Sequence, residues 1–192
     1  MAVASVGAPF PGQEIRIVGT DGEALAERRI GEVILRGPTA MHGYLPGTEG
    51  EVAMRHDGWL LTGDLGYLAD GELFLVGRKK DLIIRAGRNY YPQDLENPAG
   101  RVAGIRPGRV VAFAVPGAER EGVVVVAERR DAGGGDDAAL RAGVSRAVFE
   151  AVRLVADEIV LVPPQTLPLT TSGKIMRPEA RRLYLEGRWT TT

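Results

Sequence analysis

A lysine on a short polar loop is the residue whose type and position first suggest chemistry. Lys174 lies in the segment TTSGKIMR, residues 170–177, directly after LPL. An ammonium group on such a loop is a suitable point charge for phosphate or carboxylate oxygens. The segment does not fit a Walker A phosphate loop, because that motif needs a glycine five residues before Gly173 and residue 168 is a proline. The alternative interpretation is a solvated surface lysine.

A carboxylate and a guanidinium group form the second candidate pair, in the segment LTGDLGYLADGELFLVGRKKD, residues 61–81. Asp64 follows a Thr-Gly turn, and Arg78 follows the end of a predicted strand. An aspartate accepts hydrogen bonds from a vicinal diol such as a ribose, and an arginine donates to the same sugar oxygens. The structural alternative is an Asx-turn at Asp64 and a surface ion pair at Arg78.

The composition excludes several other kinds of site. The chain has no cysteine, so disulfides, thiolate catalysis and cysteine-based metal sites are excluded. His42 and His56 fall in no metal-ligand spacing, and we predict no metal-ligating residues. The segment GGGDDA, residues 133–138, formally fits a dinucleotide-binding pattern, but its two carboxylates would lie where a pyrophosphate must bind. It is better interpreted as a loop followed by a helix cap.

Charge and hydropathy limit the partners and the location. The formal net charge is −1, which gives no overall attraction to nucleic acid or to an anionic membrane surface. The first residues, MAVASVGAPFPG, lack the charged and apolar regions of a signal peptide. No segment approaches the roughly 18 apolar residues of a membrane-spanning helix. These observations predict a cytoplasmic protein without a membrane span.

Two kinds of sequence pattern follow one another along the chain. Up to about residue 80, short alternating segments are separated by Asp-Gly pairs, which is typical of antiparallel strands joined by tight turns. After that point strands and helices are mixed. The predicted strands are 14–18, 31–37, 59–68, 72–77, 110–115, 123–127 and 159–162, and the predicted helices lie near 93–97, 137–156 and 178–186.

We therefore expect an α+β protein in two parts. Residues 1–79 would be antiparallel strands of a distorted barrel, and residues 80–192 a compact domain with a small sheet flanked by helices. The first part has few large apolar residues, and a strand set of that size is marginal alone. It is interpreted as the remnant of a larger sheet or barrel. An apolar surface left exposed there would favour a homodimer.

Three ordered segments resemble the adenylate-forming ligases, the superfamily of acyl-CoA synthetases, peptide-synthetase adenylation domains and luciferases. GEVILRGPTAMHGYL is similar to the block that closes the substrate region, the segment 61–81 to the ribose-binding and hinge block, and LPLTTSGKIMR to the C-terminal block with the catalytic lysine. Within the superfamily the chain resembles most the fatty acyl-AMP ligases, on three further segments. These are GRNYYPQDLE, NPAGRVAGIRPGRVVAFAV and VGAPFPGQEIRIV.

The resemblance implies a role for each site residue. Asp64, assisted by Arg78, would hold the ribose hydroxyls of ATP and of the acyl-adenylate. Lys80 would be the hinge about which the C-terminal domain rotates. Lys174 would be catalytic, bridging the attacking carboxylate and the α-phosphate, which is electrostatic stabilisation of the transition state. The segment Gly87, Arg88 and Asn89 would form the loop that reaches the active site during thioester formation.

The resemblance also implies cofactors, partners and a limit. The parent enzyme would use ATP with Mg²⁺, form an acyl-adenylate, and pass the acyl group to an acyl-carrier protein or to CoA through a phosphopantetheine thiol. Most of that site would belong to a large N-terminal adenylation domain that precedes residue 1. We therefore expect a C-terminal fragment of a fatty acyl-AMP ligase, inactive alone and without tight ATP binding. The alternatives are a fragment of an acyl-CoA synthetase, or a separately encoded non-catalytic module acting in trans.

Overall fold

The chain divides into two compact units, residues 1–80 and 81–192. The structure, a computed structural model, describes residues 3–40, 57–117, 120–131 and 136–189. Part of the GEVILRGPTAMHGYL segment, both histidines and the glycines of GGGDDA lie outside the described residues. The division falls after Lys80, one residue beyond the expected boundary.

The first unit is a five-stranded antiparallel sheet in the order β1-β5-β4-β3-β2. The sheet is open within residues 3–40 and 57–80, because its edge strands β1 and β2 do not pair with each other. The strands are β1 (Ser5–Gly7), β2 (Glu14–Val18), β3 (Gly31–Arg36), β4 (Leu60–Ala69) and β5 (Glu72–Arg78).

A two-residue turn joins β4 to β5 as the Asp-Gly pair predicts. Asp70 has φ 52° and Gly71 has φ 78°, and two positive φ values in succession are the backbone of a type I′ hairpin turn. Residues 3–40 and 57–80 contain two small apolar clusters. One is centred on Ile17, Val33 and Leu73, and the other contains Trp59.

The second unit is built on a three-stranded sheet in the order β10-β9-β8, with β9 antiparallel to β8 and parallel to β10. A separate hairpin, β6–β7, precedes it. The elements are β6 (Ile83–Arg85), β7 (Arg88–Tyr90), α1 (Pro92–Ala99), β8 (Ile105–Val115), β9 (Gly122–Arg129), α2 (Asp137–Val152), β10 (Glu158–Val162) and α3 (Arg177–Leu185).

Strand β9 explains why VVVVA is an uninterrupted apolar run. Successive side chains of a strand point to opposite faces, and here both faces are covered. Val123 and Val125 pack in one cluster with residues of α1 and α2. Val124 and Val126 pack in another with Ala180 of α3. The central strand is therefore buried on both sides, between one helix layer and the other.

The structure confirms the mixed α+β fold and corrects some details. Helix α2 ends at Val152, because its C-cap residue Arg153 has the left-handed φ of 57°. The prediction of a helix to residue 156 was wrong there, and Val155, which lies beyond the end of the helix, is 59% exposed. Strand β1 and the hairpin β6–β7 were not predicted. Among the described residues no helix is long and apolar enough to cross a membrane.

Candidate functional site

Lys174 lies at the end of a tight turn in the second unit. Leu169 and Ile175 form an antiparallel bridge, and the Met176 N–H donates to the Pro168 carbonyl at 2.9 Å. Within the turn, Gly173 has φ 80°, which a residue with a side chain rarely adopts. The Lys174 side chain is exposed and has no ion-pair partner in the described part of the chain. The turn therefore presents a free ammonium group on an ordered backbone.

The Thr170 side chain closes this turn from within. Its hydroxyl oxygen accepts the Lys174 backbone N–H at 3.1 Å and lies 2.9 Å from the Ser172 hydroxyl. The Thr170 N–H in turn donates to the Lys174 carbonyl at 2.8 Å. From outside, the Arg109 guanidinium donates to the Gly173 carbonyl at 3.1 Å. The small polar residues of this predicted loop are thus largely paired with one another.

Arg177, three residues after Lys174, ties this turn to the rest of the unit. Its guanidinium donates to Asp81 at 2.9 Å, to Glu96 at 2.8 Å and to the Ala112 carbonyl at 3.1 Å. Burial lowers the pKa of Arg177, but the nearby carboxylates of Glu96 and Asp81 outweigh it, so the pKa lies above its ordinary value. The guanidinium stays charged and joins α3, β8, α1 and the residue after Lys80.

A buried carboxylate holds the other end of the same segment. Glu128 on β9 is fully buried, and its side chain accepts the Leu167 N–H at 2.9 Å and an Arg106 N–H at 3.2 Å. A buried carboxylate without partners is costly, so this arrangement fixes where the segment leaves the core. The backbone from Leu167 to Arg177 is thereby anchored at both ends.

Asp64 and Arg78 face each other across β4 and β5 in the first unit. They are partners in the strand register, and Arg78 Nε lies 3.2 Å from Asp64 Oδ1. Strand β4 bulges here: Leu61 pairs with Ile34 and Leu65 with Glu32, so Thr62–Asp64 lie opposite a single residue. The ion pair of the structural alternative is therefore present, and the ribose contact stays a prediction.

An open cavity of about 370 Å³ adjoins this pair. Its lining contains Thr62, Gly63, Arg78, Lys79 and Lys80. The three cations can donate to phosphate oxygens, and the neighbouring carboxylate can accept from sugar hydroxyls. The residues therefore fit the part of a nucleotide that the resemblance implies. Lys80, the predicted hinge residue, is exposed in a short 3₁₀ turn, Lys79–Asp81.

The predicted thioester-step segment lies at the tip of the hairpin β6–β7. Ala86 and Gly87 form its two-residue turn, with φ values of 49° and 73°. Arg88 and Asn89 are the first residues of β7, and with Gly87 they are exposed. The turn belongs to the same unit as Lys174, whereas Asp64 and Arg78 belong to the other unit.

Sequence reasoning missed the residues that hold these side chains in place. Asp81, Glu96 and Arg177 form one network although 96 residues separate Asp81 from Arg177. Because these three residues are far apart in the sequence, no local pattern indicates that they contact one another. The one available signal is that Arg177 follows Lys174 by three residues. Within the described ranges, no group of three or more histidine, cysteine or acidic residues could hold a metal ion.

Curated relatives match between 66% and 96% of the chain. An acyl-CoA synthetase assigned in Caulobacter vibrioides is 40% identical over 190 residues, which are 96% of this chain and 32% of the relative. A long-chain-fatty-acid–AMP ligase of Mycobacterium marinum is 42% identical over 132 residues, which are 66% of this chain and 22% of the relative. The chain thus spans a third or less of the length of these relatives. No family model matches it.

Solved structures of adenylate-forming enzymes have the same fold. McyG A-PCP complexed with phenylalanyl-adenylate has a TM-score of 0.84 at 28% identity, over 97% of this chain and 34% of that one. The fatty acyl-adenylate ligases from E. coli and L. pneumophila give 0.79 at 34% identity, over 97% and 33%. ATP-bound MatB from Rhodopseudomonas palustris gives 0.76 at 30% identity, over 94% and 35%. The chain therefore belongs to the adenylate-forming ligase superfamily and corresponds to the C-terminal portion of such an enzyme.

Proposed function

We propose that this chain is the C-terminal portion of a fatty acyl-AMP ligase. The enzyme would activate a fatty acid with ATP to an acyl-adenylate and transfer the acyl group to a carrier-protein phosphopantetheine in the cytoplasm. One observation carries the proposal: Lys174 is an exposed cation without an ion-pair partner in the ranges that the structure describes, on a turn that is hydrogen-bonded from both sides. The likeness to named fatty-acid–AMP and fatty acyl-adenylate ligases supports the choice of substrate.

Lys174 would act on the first step. The fatty-acid carboxylate attacks the α-phosphorus of ATP, the new C–O–P linkage forms, and the bond to pyrophosphate breaks. Both reactants are anionic, so an ammonium group between them lowers the energy of the transition state. Removing one such preorganised group typically costs a factor of about 10² to 10³ in rate. The paired backbone of the turn would keep that group in place without reorganisation.

Asp64 and Arg78 would hold the ribose of ATP and of the acyl-adenylate. Asp64 Oδ1 already lies 3.2 Å from Arg78 Nε in an ion pair, and the carboxylate lone pairs are suited to two vicinal hydroxyls. Lys80 would be the hinge residue between residues 1–79 and 80–192, the last part of the adenylation domain and the mobile lid domain. The turn at Gly87, with Arg88 and Asn89, would act in the acyl-transfer step. Mg²⁺ would be held by other parts of the adenylation domain than residues 1–79.

The test is fatty-acid-dependent pyrophosphate–ATP exchange by the intact ligase that carries this chain. Lys174→Ala should lower the exchange rate by at least about 100-fold. Arg182→Ala serves as the control, because Arg182 is also an exposed cation of the second unit but is paired with Glu179 at 2.6 Å and lines neither part of the candidate site. Exchange that is unchanged in Lys174→Ala would contradict the proposed role. An intact ligase without any exchange activity would contradict the proposed function.

An acyl-CoA synthetase is the second candidate. The acyl-CoA synthetase of Caulobacter vibrioides matches 96% of this chain, which favours CoA as the acceptor. The two functions share the adenylation step and differ in the thiol that receives the acyl group. Product analysis of the intact ligase separates them. Release of acyl-CoA would favour the synthetase, whereas acyl-adenylate that reacts only with a carrier protein would favour the fatty acyl-AMP ligase.

A further inference from the structure

The hairpin β6–β7 is too short to hold its own position. Each strand has only three residues, and a two-stranded hairpin is marginal in water even when longer. At its base, Ile83 is fully buried in the core of the second unit and pairs with Tyr90. At its tip, Ala86, Gly87, Arg88 and Asn89 are exposed. A contact from the middle of the hairpin to the rest of the unit must therefore fix the orientation of the turn.

Arg85, the residue before the turn, forms that attachment. Its guanidinium makes a two-pronged contact with Asp157, Nη1 to Oδ2 at 2.8 Å and Nη2 to Oδ1 at 3.0 Å. Nη1 also donates to the Glu121 carbonyl at 2.7 Å. The Arg85 side chain is only 19% exposed, which is unusual for an arginine so close to an exposed turn. A planar fork on a carboxylate fixes direction as well as distance.

Asp157 is itself held on both carboxylate oxygens. Oδ2 accepts the Val123 N–H at 2.7 Å, and Oδ1 accepts from Arg120 at 3.0 Å. Its own N–H donates to the Val123 carbonyl at 2.8 Å. The carboxylate is thus fixed to the first residues of β9, the central strand of the sheet. The turn is thus attached to that strand through the Arg85 guanidinium, which contacts the Asp157 carboxylate with two nitrogens and the Glu121 carbonyl with one of them.

The turn needs such support, because its first residue is strained. Ala86 has φ 49°, a left-handed conformation that costs an alanine about 1–2 kcal/mol. A Cβ added to Gly87 would have no atom within 4 Å. The glycine is therefore needed for the backbone conformation of the turn and not for close packing within the unit. The tip is therefore an open, strained turn on a rigid support, an arrangement suited to contact with something outside the unit.

We propose that Asp157 is a positioning residue for the acyl-transfer step, and that it acts through Arg85 on the Ala86–Gly87 turn. This inference rests on the proposed function. In that step the phosphopantetheine thiol attacks the acyl carbonyl carbon, a C–S bond forms, and the C–O bond to phosphate breaks. AMP leaves with the bonding electron pair, and the thiol proton goes to the solvent. Asp157 touches none of the reacting atoms, and its effect is on the placement of the turn beside them.

The experiment measures the two half-reactions of the intact ligase separately in Asp157→Asn. This variant keeps the shape of the side chain and an acceptor oxygen for Val123, but it loses the charged fork with Arg85. Pyrophosphate–ATP exchange should stay within twofold of the unaltered ligase. Transfer from preformed acyl-adenylate to the phosphopantetheine thiol, followed in a single turnover, should fall at least tenfold. Glu179→Gln, which breaks an exposed ion pair on α3, is the control and should change neither rate.

Equal losses in both half-reactions would overturn the proposal, because they would indicate a general structural role. Unchanged transfer would overturn it as well. An unaltered ligase that carries out no exchange would instead refute the proposed function, and the assignment of the turn to acyl transfer with it. Amide hydrogen exchange on the 192-residue chain gives an independent readout. Asp157→Asn should raise the exchange rate of the 85–88 amides at least tenfold while α2 stays protected, and unchanged protection would overturn the anchoring itself.

Discussion

Arg177 gives the sharpest prediction, because its guanidinium joins two carboxylates and a carbonyl that are all far away in sequence. Arg177→Met should destabilise the second unit strongly. The substitution removes two charge-assisted hydrogen bonds, to Asp81 and Glu96, and one bond to the Ala112 carbonyl. It also leaves the two carboxylates without their counter-charge, in side chains that are only 16% and 17% exposed.

The magnitude follows from these contacts. Removing one partner of a buried ion pair costs about 3–5 kcal/mol. The Arg177 side chain keeps 24% of its exposure, so water partly replaces the lost bonds and the lower end of the range applies. We expect a loss of about 3 kcal/mol in the free energy of unfolding. For a unit of about this size, that corresponds to a fall of roughly 12 °C in the melting temperature.

The assay uses the two tryptophans of the chain, which lie in different units. Trp59 belongs to the first unit and Trp189 packs against the core of the second. In a Trp59→Phe background, fluorescence during urea unfolding therefore reports the second unit through Trp189. The midpoint and slope of that transition, compared with and without Arg177→Met, give the change in unfolding free energy.

A matched control lies on the same helix. Arg182 also forms two ion pairs, with Glu179 at 2.6 Å and with Glu186, but its side chain is 53% exposed. Arg182→Met should leave the Trp189 transition unchanged within error, because exposed pairs contribute little. A shift below about 1 kcal/mol for Arg177→Met, or an equal shift for both variants, would refute the claim that burial decides the strength of this network.

Two further predictions concern other parts of the chain. Burial, and to a smaller extent the hydrogen bond to Glu158, raises the pKa of Tyr184 from 10.0 to about 12. The unfolded chain loses the phenol proton at a lower pH than the folded chain, so the free energy of unfolding should fall as the pH rises from 10 to 12. Tyr184→Phe should abolish that part of the fall, together with the phenolate absorbance that develops near pH 12. In the first unit, a Cβ on Gly66 would lie 2.5 Å from the Phe74 carbonyl oxygen. Gly66→Ala should therefore cost about 2 kcal/mol in the transition reported by Trp59, and an unchanged midpoint would contradict the close approach.

The sequence was most informative where the physical cause is local. Alternating and β-branched segments place the strands, because the side chains of a strand repeat every two residues. The Asp70-Gly71 pair predicts a tight turn, because both residues tolerate positive φ, and both have it. The end of α2 was predicted wrongly, since the left-handed conformation of Arg153 has no strong signal in an arginine.

The candidate side chains could be named from the sequence, but their supports could not. Lys174, Asp64 and Gly87 stand in recognisable segments whose residue types suit their chemistry. The carboxylates that hold the neighbouring arginines come from elsewhere: Asp157 is 72 residues from Arg85. Nothing in a local pattern distinguishes such an aspartate from a solvated one, because its role depends on which chain segments the fold brings together.

The sequence by itself thus determined the two-part α+β organisation and the residues able to do chemistry, since both follow from short-range patterns of polarity and residue type. Tertiary structure decided which of those residues are held and which are free. Glu128 is buried and paired, whereas Lys174 is exposed and unpaired among the described residues, and both are ordinary charged residues in the sequence. The physical reason is that the burial and the pairing of a charged side chain set its free energy more than its residue type does. Both depend on how segments that are distant in the sequence pack together.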